Sequence, residues 1–374
     1  EDSLSVYIVP MRGQVGTDIL PELYEPIIED IKAEDPDMVI IKIDSHDWKD
    51  IDDEVVDIMN QSGRPGREDI STVQLKPMAE IREAFAQELP DVEQVCYVED
   101  AMSAASLLAL SWEELYMDPD ADFGGAVIVW VQWLFPVAGD PQKYGKYTRA
   151  TMGDVRGLVQ FGGWDTPDRR AFIQAFVIPE AMASTTWRGR EAIWFDHTGG
   201  EFPVDERGEL PRKISWEFLQ NPPTITLTGR EAEQLLVADG TAESETFVQD
   251  ILASLGYRRY HIVGTASEPV EKHRKKWSAA ADRAKASFRK YGRMAQGGAI
   301  WQIQAAVKAL QSYMSAIRSN KAVKTRMQIE GLPTDRIKLE IMLEDLKERI
   351  RQLSGNGRRG GRGGGGAGGG PGGM

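Results

Sequence analysis

Residues 6–43 read VYIVPMRGQVGTDILPELYEPIIEDIKAEDPDMVIIKI, and this stretch decides the fold. The β-rich run Val6–Val9 stops at Pro10, after which Gly13 and Gly16 punctuate a loop. Leu20, Leu23, Tyr24, Ile27, Ile28 and Ile31 recur at helical spacing and predict an amphipathic helix over 20–33. Met38–Ile43 follows as a second buried strand. A strand, helix and strand within about 40 residues imply a parallel pair joined by a right-handed crossover.

The alternation continues outward from that unit. Helices are expected over 77–88, 102–110, 146–160 and 169–178, and strands over 94–98, 126–133, 192–195 and 224–227. Such alternation predicts an α/β domain with a parallel sheet and flanking helices, reaching to about residue 265. Residues 47–71, rich in charge and turn formers, read as a surface excursion. From 271 the pattern becomes helical and basic, over 272–293, 299–319 and 339–353. The last of these carries Ile341, Leu343, Leu346, Ile350 and Leu353 near heptad spacing. The expected organisation is thus an α/β domain at 1–265, a helical arm at 271–353 that oligomerises or forms a coiled hairpin, and a disordered Gly/Arg tail at 355–374.

Charge divides the chain in the same way. Residues 271–374 hold 22 Lys and Arg against 8 Asp and Glu, a net of +14, while residues 1–270 hold 22 against 50, a net of −28. A basic appendage of this kind meets anions: nucleic acid, through its Arg-Gly tail, or the acidic body itself. The longest apolar stretch, 126–138, has about 13 residues where a membrane helix needs about 20. The sole cysteine, Cys96, lies within an apolar run and reads as a core residue, so no intrachain disulfide is available. Asp118, Asp120 and Asp122 have the spacing that begins a calcium loop, but the glycine falls one place late and the twelfth position is Val129, so the segment reads as a turn.

Ser103 is the candidate nucleophile. It follows a strand and precedes the small-residue run Ala104-Ala105-Ser106, which leaves room for a substrate to approach. The same placement serves an ordinary helix cap. The four histidines, His46, His197, His261 and His273, offer no evident triad with it. A lysine serves as base where burial frees its lone pair, and Lys143 or Lys146 stands at the start of the helix after the 126–133 strand.

Taken in order, these segments resemble the Clp protease/crotonase-like superfamily, and within it the NfeD-type, membrane-bound Clp-class serine-lysine peptidases. Val6–Gly13 resembles the first strand and its Pro-x-x-Gly turn, and Met38–Ser45 the strand ending in Asp-Ser. Ser103-Ala-Ala is similar to the nucleophile motif, and Tyr116–Gly124 to a strand with its glycine turn. Lys146 stands where the family places its lysine, and Thr226–Ala232 resembles a late motif. The resemblance implies a serine endopeptidase in which Ser103 attacks, Lys146 takes the proton, and backbone amides at Asp47, Trp48 and Ala104 hold the oxyanion. It implies a peptide or protein substrate, a homo-oligomer, no cofactor or metal, and an extracytoplasmic or membrane-peripheral setting, while the residues themselves leave a cytoplasmic one open. His46-Asp47-Trp48 replaces the family's Pro-Gly-Gly, and Ala105 its glycine. The alternative expectation is therefore an inactive scaffold that assembles through its arm.

Overall fold

Val6, Tyr7, Val9 and Met11 are all buried, although they point to both sides of one strand, and a strand buried on both faces belongs inside a covered sheet. A computed structural model of the chain describes residues 3–45, 70–126, 141–178, 181–197, 199–204 and 225–359. The expected excursion at 47–71, nearly all of the expected strand at 126–133, and residues 360–374 lie outside these, apart from the two ends Ile70–Ser71 and Ala126.

In chain order the elements are β1 (Leu4–Arg12), α1 (Pro21–Glu34), β2 (Met38–Ser45), α2 (Ile70–Glu88), β3 (Glu93–Met102), α3 (Ala104–Ala109), β4 (Glu114–Met117), β5 (Asp122–Gly124) and α4 (Pro141–Val159). There follow α5 (Arg170–Val177), β6 (Ser184–Arg188), β7 (Glu191–Phe195), β8 (Phe202–Pro203), β9 (Thr226–Thr228), α6 (Gly229–Gln234), β10 (Gly240–Thr241), α7 (Phe247–Ser254) and β11 (Tyr260–Thr265). The chain then turns wholly helical with α8 (Ser267–Ala295), α9 (Ile300–Ser319), α10 (Lys321–Ile329) and α11 (Arg336–Arg359).

Among the described residues the main sheet runs β10-β4-β3-β2-β1-β11, with every neighbouring pair parallel. The expected parallel α/β sheet with flanking helices is therefore observed, followed by a helical C-terminal segment. Strands β1 and β2 pair from Val6↔Met38 to Arg12↔Asp44. Period-two alternation sends Tyr7, Val9, Val39, Ile41, Cys96 and Val98 into one core, where Leu23, Tyr24, Ile27, Ile28 and Ile31 of α1 meet them. Each such side chain, fully buried, contributes on the order of 1.5–3 kcal/mol of transfer free energy. Val6, Met38, Ile40, Val95 and Tyr97 face the other way, against Val248, Ile251 and Leu252 of α7. A small antiparallel sheet, β7-β6-β8, stands apart from the main one.

Several boundaries differ from the sequence reading. Helix α2 starts at Ile70 and contains Pro77, which the reading places at a helix start. Strand β3 runs on to Met102, so α3 is a short helix of six residues. Where a strand and its glycine turn are expected over 116–124, there are two short strands, β4 and β5, with the turn between them. The chain divides into two compact units, Glu1–Lys275 and Lys276–Met374. In the second, Ile303, Leu310 and Tyr313 of α9 are buried, as are Val323 and Met327 of α10 and Leu339 and Leu346 of α11. The sequence reading lacks α10. Asn320 ends α9 and its side chain accepts from the Val323 N–H at 3.2 Å, capping a new helix. Asp335 caps α11 in the same way, on the Lys338 N–H at 2.7 Å, and α11 continues through Gly355.

A polar network crosses the α7 face. Lys42 reaches Glu99 at 2.9 Å and lies 4.8 Å from the centre of the Phe247 ring. Ser244 donates through its hydroxyl to Glu99 and through its N–H to Asp118 at 3.0 Å. Burial works to raise the Glu99 pKa, but the hydrogen bonds from Ser244 and Lys42 outweigh it and hold the carboxyl below its usual range. A carboxyl lowered in the folded state stabilises at neutral pH and loses that contribution as pH falls through the acid range. Glu99→Gln is expected to have a lower urea midpoint than the parent at about pH 7, with the gap closing toward about pH 3. A gap that does not change with pH would show that Glu99 is not held as an anion.

Candidate active site

Strand β3 delivers Ser103 to the C-terminal end of the sheet, and α3 leaves directly from it. Ser103 has φ 59° and ψ −124°, the conformation of the first central residue of a type II′ turn, where glycine is usual. A residue held there costs on the order of 1–3 kcal/mol unless its surroundings impose the geometry. They do so from both sides. The Ser103 N–H donates to the Gly124 carbonyl at 2.7 Å. Its carbonyl accepts from the Ser106 N–H at 3.2 Å and the Ser106 hydroxyl at 2.6 Å. The result is a strained strand-to-helix elbow with a half-buried serine at its tip, the arrangement that presents a nucleophilic hydroxyl in many hydrolases.

Gly124 is required by close approach. At φ 130° it leaves its carbonyl free for Ser103, and an added Cβ would lie 2.2 Å from the Ile225 carbonyl oxygen on the chain entering β9. Beside it, the Gly125 N–H donates to that same carbonyl at 3.1 Å. With the Ser103 N–H committed to Gly124, an oxyanion donor at this turn must come from further on. The Ala104 N–H, the first of α3, has no carbonyl of its own helix to reach.

The other predicted site residues are placed unevenly. Asp47 and Trp48 lie outside the described residues, but Ser45, from which the chain continues toward them, is in register with Ala101, two residues before Ser103. Lys146 lies on the N-terminal half of α4 and is exposed; among the described side chains of this helix the buried ones are Thr151, Val155, Leu158 and Val159. No hydrogen bond joins Lys146 to Ser103 among the described residues. Lys143 is on the same helix, and its side chain is outside the described residues. Three histidines are engaged elsewhere: His197 accepts from the Gly199 N–H at 2.9 Å, His261 meets Ser3 at 3.2 Å, and His273 meets the Thr17 carbonyl at 3.2 Å. Among the described residues no cluster of His, Cys, Asp or Glu could hold a metal ion, and no helix is long and apolar enough to cross a membrane. Cys96 is buried on the α1 face, and burial pushes its thiol pKa up.

The positive φ at Ser103 and the Gly124–Gly125 support were not read from the sequence. The consecutive glycines were the available signal, because two of them after a strand mark a backbone that closely approaches another.

No protein-family model matches the chain, and a search of curated proteins gives no match. Solved structures similar to it include the 1510-N membrane protease specific for a stomatin homolog from Pyrococcus horikoshii. That structure is 13% identical, with 71% of this chain and 94% of that one covered at a TM-score of 0.37. A lysine-to-alanine mutant of the 1510-N protease, in complex with a substrate peptide, is 15% identical over 67% and 80% of the two chains, at a TM-score of 0.37. An enoyl-CoA hydratase/isomerase from Marinobacter aquaeolei is 13% identical over 68% and 70%, at a TM-score of 0.29. Likenesses this distant carry no argument about activity, which rests on the geometry at Ser103.

That geometry has a measurable signature. Ser103→Gly is expected to stabilise the fold by about 1 kcal/mol, because relief of the strain exceeds the entropy that glycine adds to the unfolded chain. Ser103→Ala, which keeps a Cβ at the strained position, is expected to stay within about 0.5 kcal/mol of the parent. Urea denaturation of the three proteins checks this; a glycine variant no more stable than the alanine variant would mean that the elbow is not strained.

Proposed function

We propose that the chain is a Clp/crotonase-like serine peptidase of the Ser-Lys type. The observation that carries this reading is the positive φ of Ser103 at a strand-to-helix elbow, because strain of this kind persists where a hydroxyl must be aimed. The Ser103 Oγ attacks the carbonyl carbon of a peptide bond as its proton passes to a lysine amine. The developing oxyanion is held by the Ala104 N–H and by backbone N–H groups at Asp47 and Trp48. Collapse of the tetrahedral species breaks the C–N bond, the leaving amine takes the proton from the lysine, and water then releases the acyl group from Ser103.

Lys146 is the base assigned here, with Lys143 as the alternative. Its exposure fits a base that becomes effective only once a bound peptide covers it, since catalytic contacts often tighten only in the substrate complex. The same exposure favours a second reading, an inactive relative that keeps the fold as a scaffold.

A fluorophosphonate probe separates the two. Labelling of the parent, lost in Ser103→Ala and reduced about 10²–10⁴-fold in Lys146→Met, is expected for the peptidase, matching the usual contribution of a general base. Equal labelling of the parent and Ser103→Ala, or none of either, would leave the scaffold reading. Full labelling of Lys146→Met with loss in Lys143→Met would move the base to residue 143.

A further inference from the structure

The charge division of the chain resolves into two helical surfaces. Between Arg283 and Ile329 the sequence contains no Asp or Glu. On α8 from Lys276 onward, Lys276, Arg283, Arg289, Lys290 and Arg293 are exposed, with Asp282 the acidic side chain among them; Glu268 and Glu271 are exposed in its first turns. Lys276, Arg283 and Lys290 recur every seven residues, which keeps them on one side of the helix over about 21 Å. Trp277, Ala281 and Ala284 are buried on the opposite side. The exposed positions between the basic residues include Ser278, Ala279 and Ala286, and none is aromatic.

The first unit carries the complement. On α1, Glu22, Glu25 and Glu29 are exposed on one side, and α2 beside it exposes Glu80, Glu83 and Glu88. The basic side chains exposed on these two helices are Lys32, held between Glu29 and Glu88, and Lys76, which is 3.7 Å from Glu80. The acidic face and the basic stripe thus match in sign.

We propose that the basic stripe of α8 in one copy of the chain docks on the acidic α1/α2 face of a second copy. Every chain brings both surfaces, so the contact closes as a reciprocal two-fold pair or repeats as a ring or an open chain of copies. A second copy fits better than a nucleic acid, because single-strand platforms present open aromatic faces among their basic residues, whereas Phe288 and Tyr291 beside this stripe are partly buried and pack on each other at 5.4 Å between ring centres. The docking is independent of the chemistry at Ser103.

Sedimentation velocity on the full chain, across protein concentration and at about 50 and 500 mM salt, tests the proposal. Association that grows with concentration and weakens at high salt is expected. Lys276→Glu/Arg283→Glu/Lys290→Glu should weaken it roughly tenfold or more, three reversed pairs each contributing several-fold. Glu22→Lys/Glu25→Lys/Glu29→Lys should weaken it likewise. Mixing the two variants should restore association, since the acidic arm of one then faces the basic body of the other; far-UV circular dichroism confirms that both are folded. The proposal is overturned by a mass that does not change with concentration, by a salt-sensitive change of shape at constant mass, or by a mixture that associates no better than its parts. Salt-sensitive binding of a labelled single-stranded oligonucleotide, lost with the arm reversal while the parent stays monomeric, would overturn it in favour of nucleic acid.

Discussion

The hydrogen bond from the Ser103 N–H to the Gly124 carbonyl, 2.7 Å long, is the constraint around which the C-terminal end of the sheet is built. It holds a serine in a conformation that an unconstrained chain would leave. It exists because β5 is pinned on both sides, parallel to β3 at Ala101 and Met102 and antiparallel to β9 at Thr226–Thr228. Only a residue without a side chain fits between Ser103 and the Ile225 carbonyl, so the elbow depends on Gly124 as directly as on Ser103 itself. A three-residue strand thus sets the backbone of the candidate nucleophile, using a partner strand that arrives about a hundred residues later in the chain.

Legibility from the sequence followed the physics of each part. The β1–α1–β2 unit was readable because both faces of the sheet are covered, which makes the strands uninterrupted apolar runs and puts the helix's apolar residues on one stripe. Cys96 was readable as a core residue for the same reason. Strands β5 and β9, three residues each, are too short to carry a period, and their pairing is a tertiary fact. The φ of Ser103 was equally hidden, since the carbonyl that imposes it lies 21 positions away. Pro77 shows a local preference overridden: its fixed φ suits a first turn, yet packing of Leu75, Met78, Ile81 and Phe85 against the core carries α2 through it. Position in sequence placed Lys146 on the expected helix but could not report its exposure, which depends on what covers the helix.

The second unit is assembled on other terms. Small residues, Ala281, Ala284, Ala306, Ala309 and Ala322, are buried where its helices meet, and a few large ones, chiefly Tyr313 with Phe288 at 4.9 Å between ring centres, fill the remaining space. The Tyr313 hydroxyl donates to the Pro333 carbonyl at 3.0 Å, fixing the turn ahead of α11. Arg349 of α11 donates to the Ala295 and Gly297 carbonyls at the α8–α9 connection, so a charged side chain satisfies orphaned carbonyls at a helix end. Apolar burial in this unit therefore uses few charged residues; Arg326 and Lys285, paired with Glu330, are partly buried, and most of the other lysines and arginines stay on the surface.

The outer edge of the main sheet has a consequence for how the chain is made. Strand β1 pairs on one side with β2, which follows it closely, and on the other with β11, so that Leu4 lies opposite Tyr260. During synthesis from the N-terminus, the first strand leaves the ribosome long before the strand that covers its flank. Its exposed N–H and C=O groups are open to pairing with a neighbouring nascent chain throughout that interval. Translation speed between the two strands, and any chaperone that shields the growing edge, thus bear on the yield of native protein without altering the finished structure.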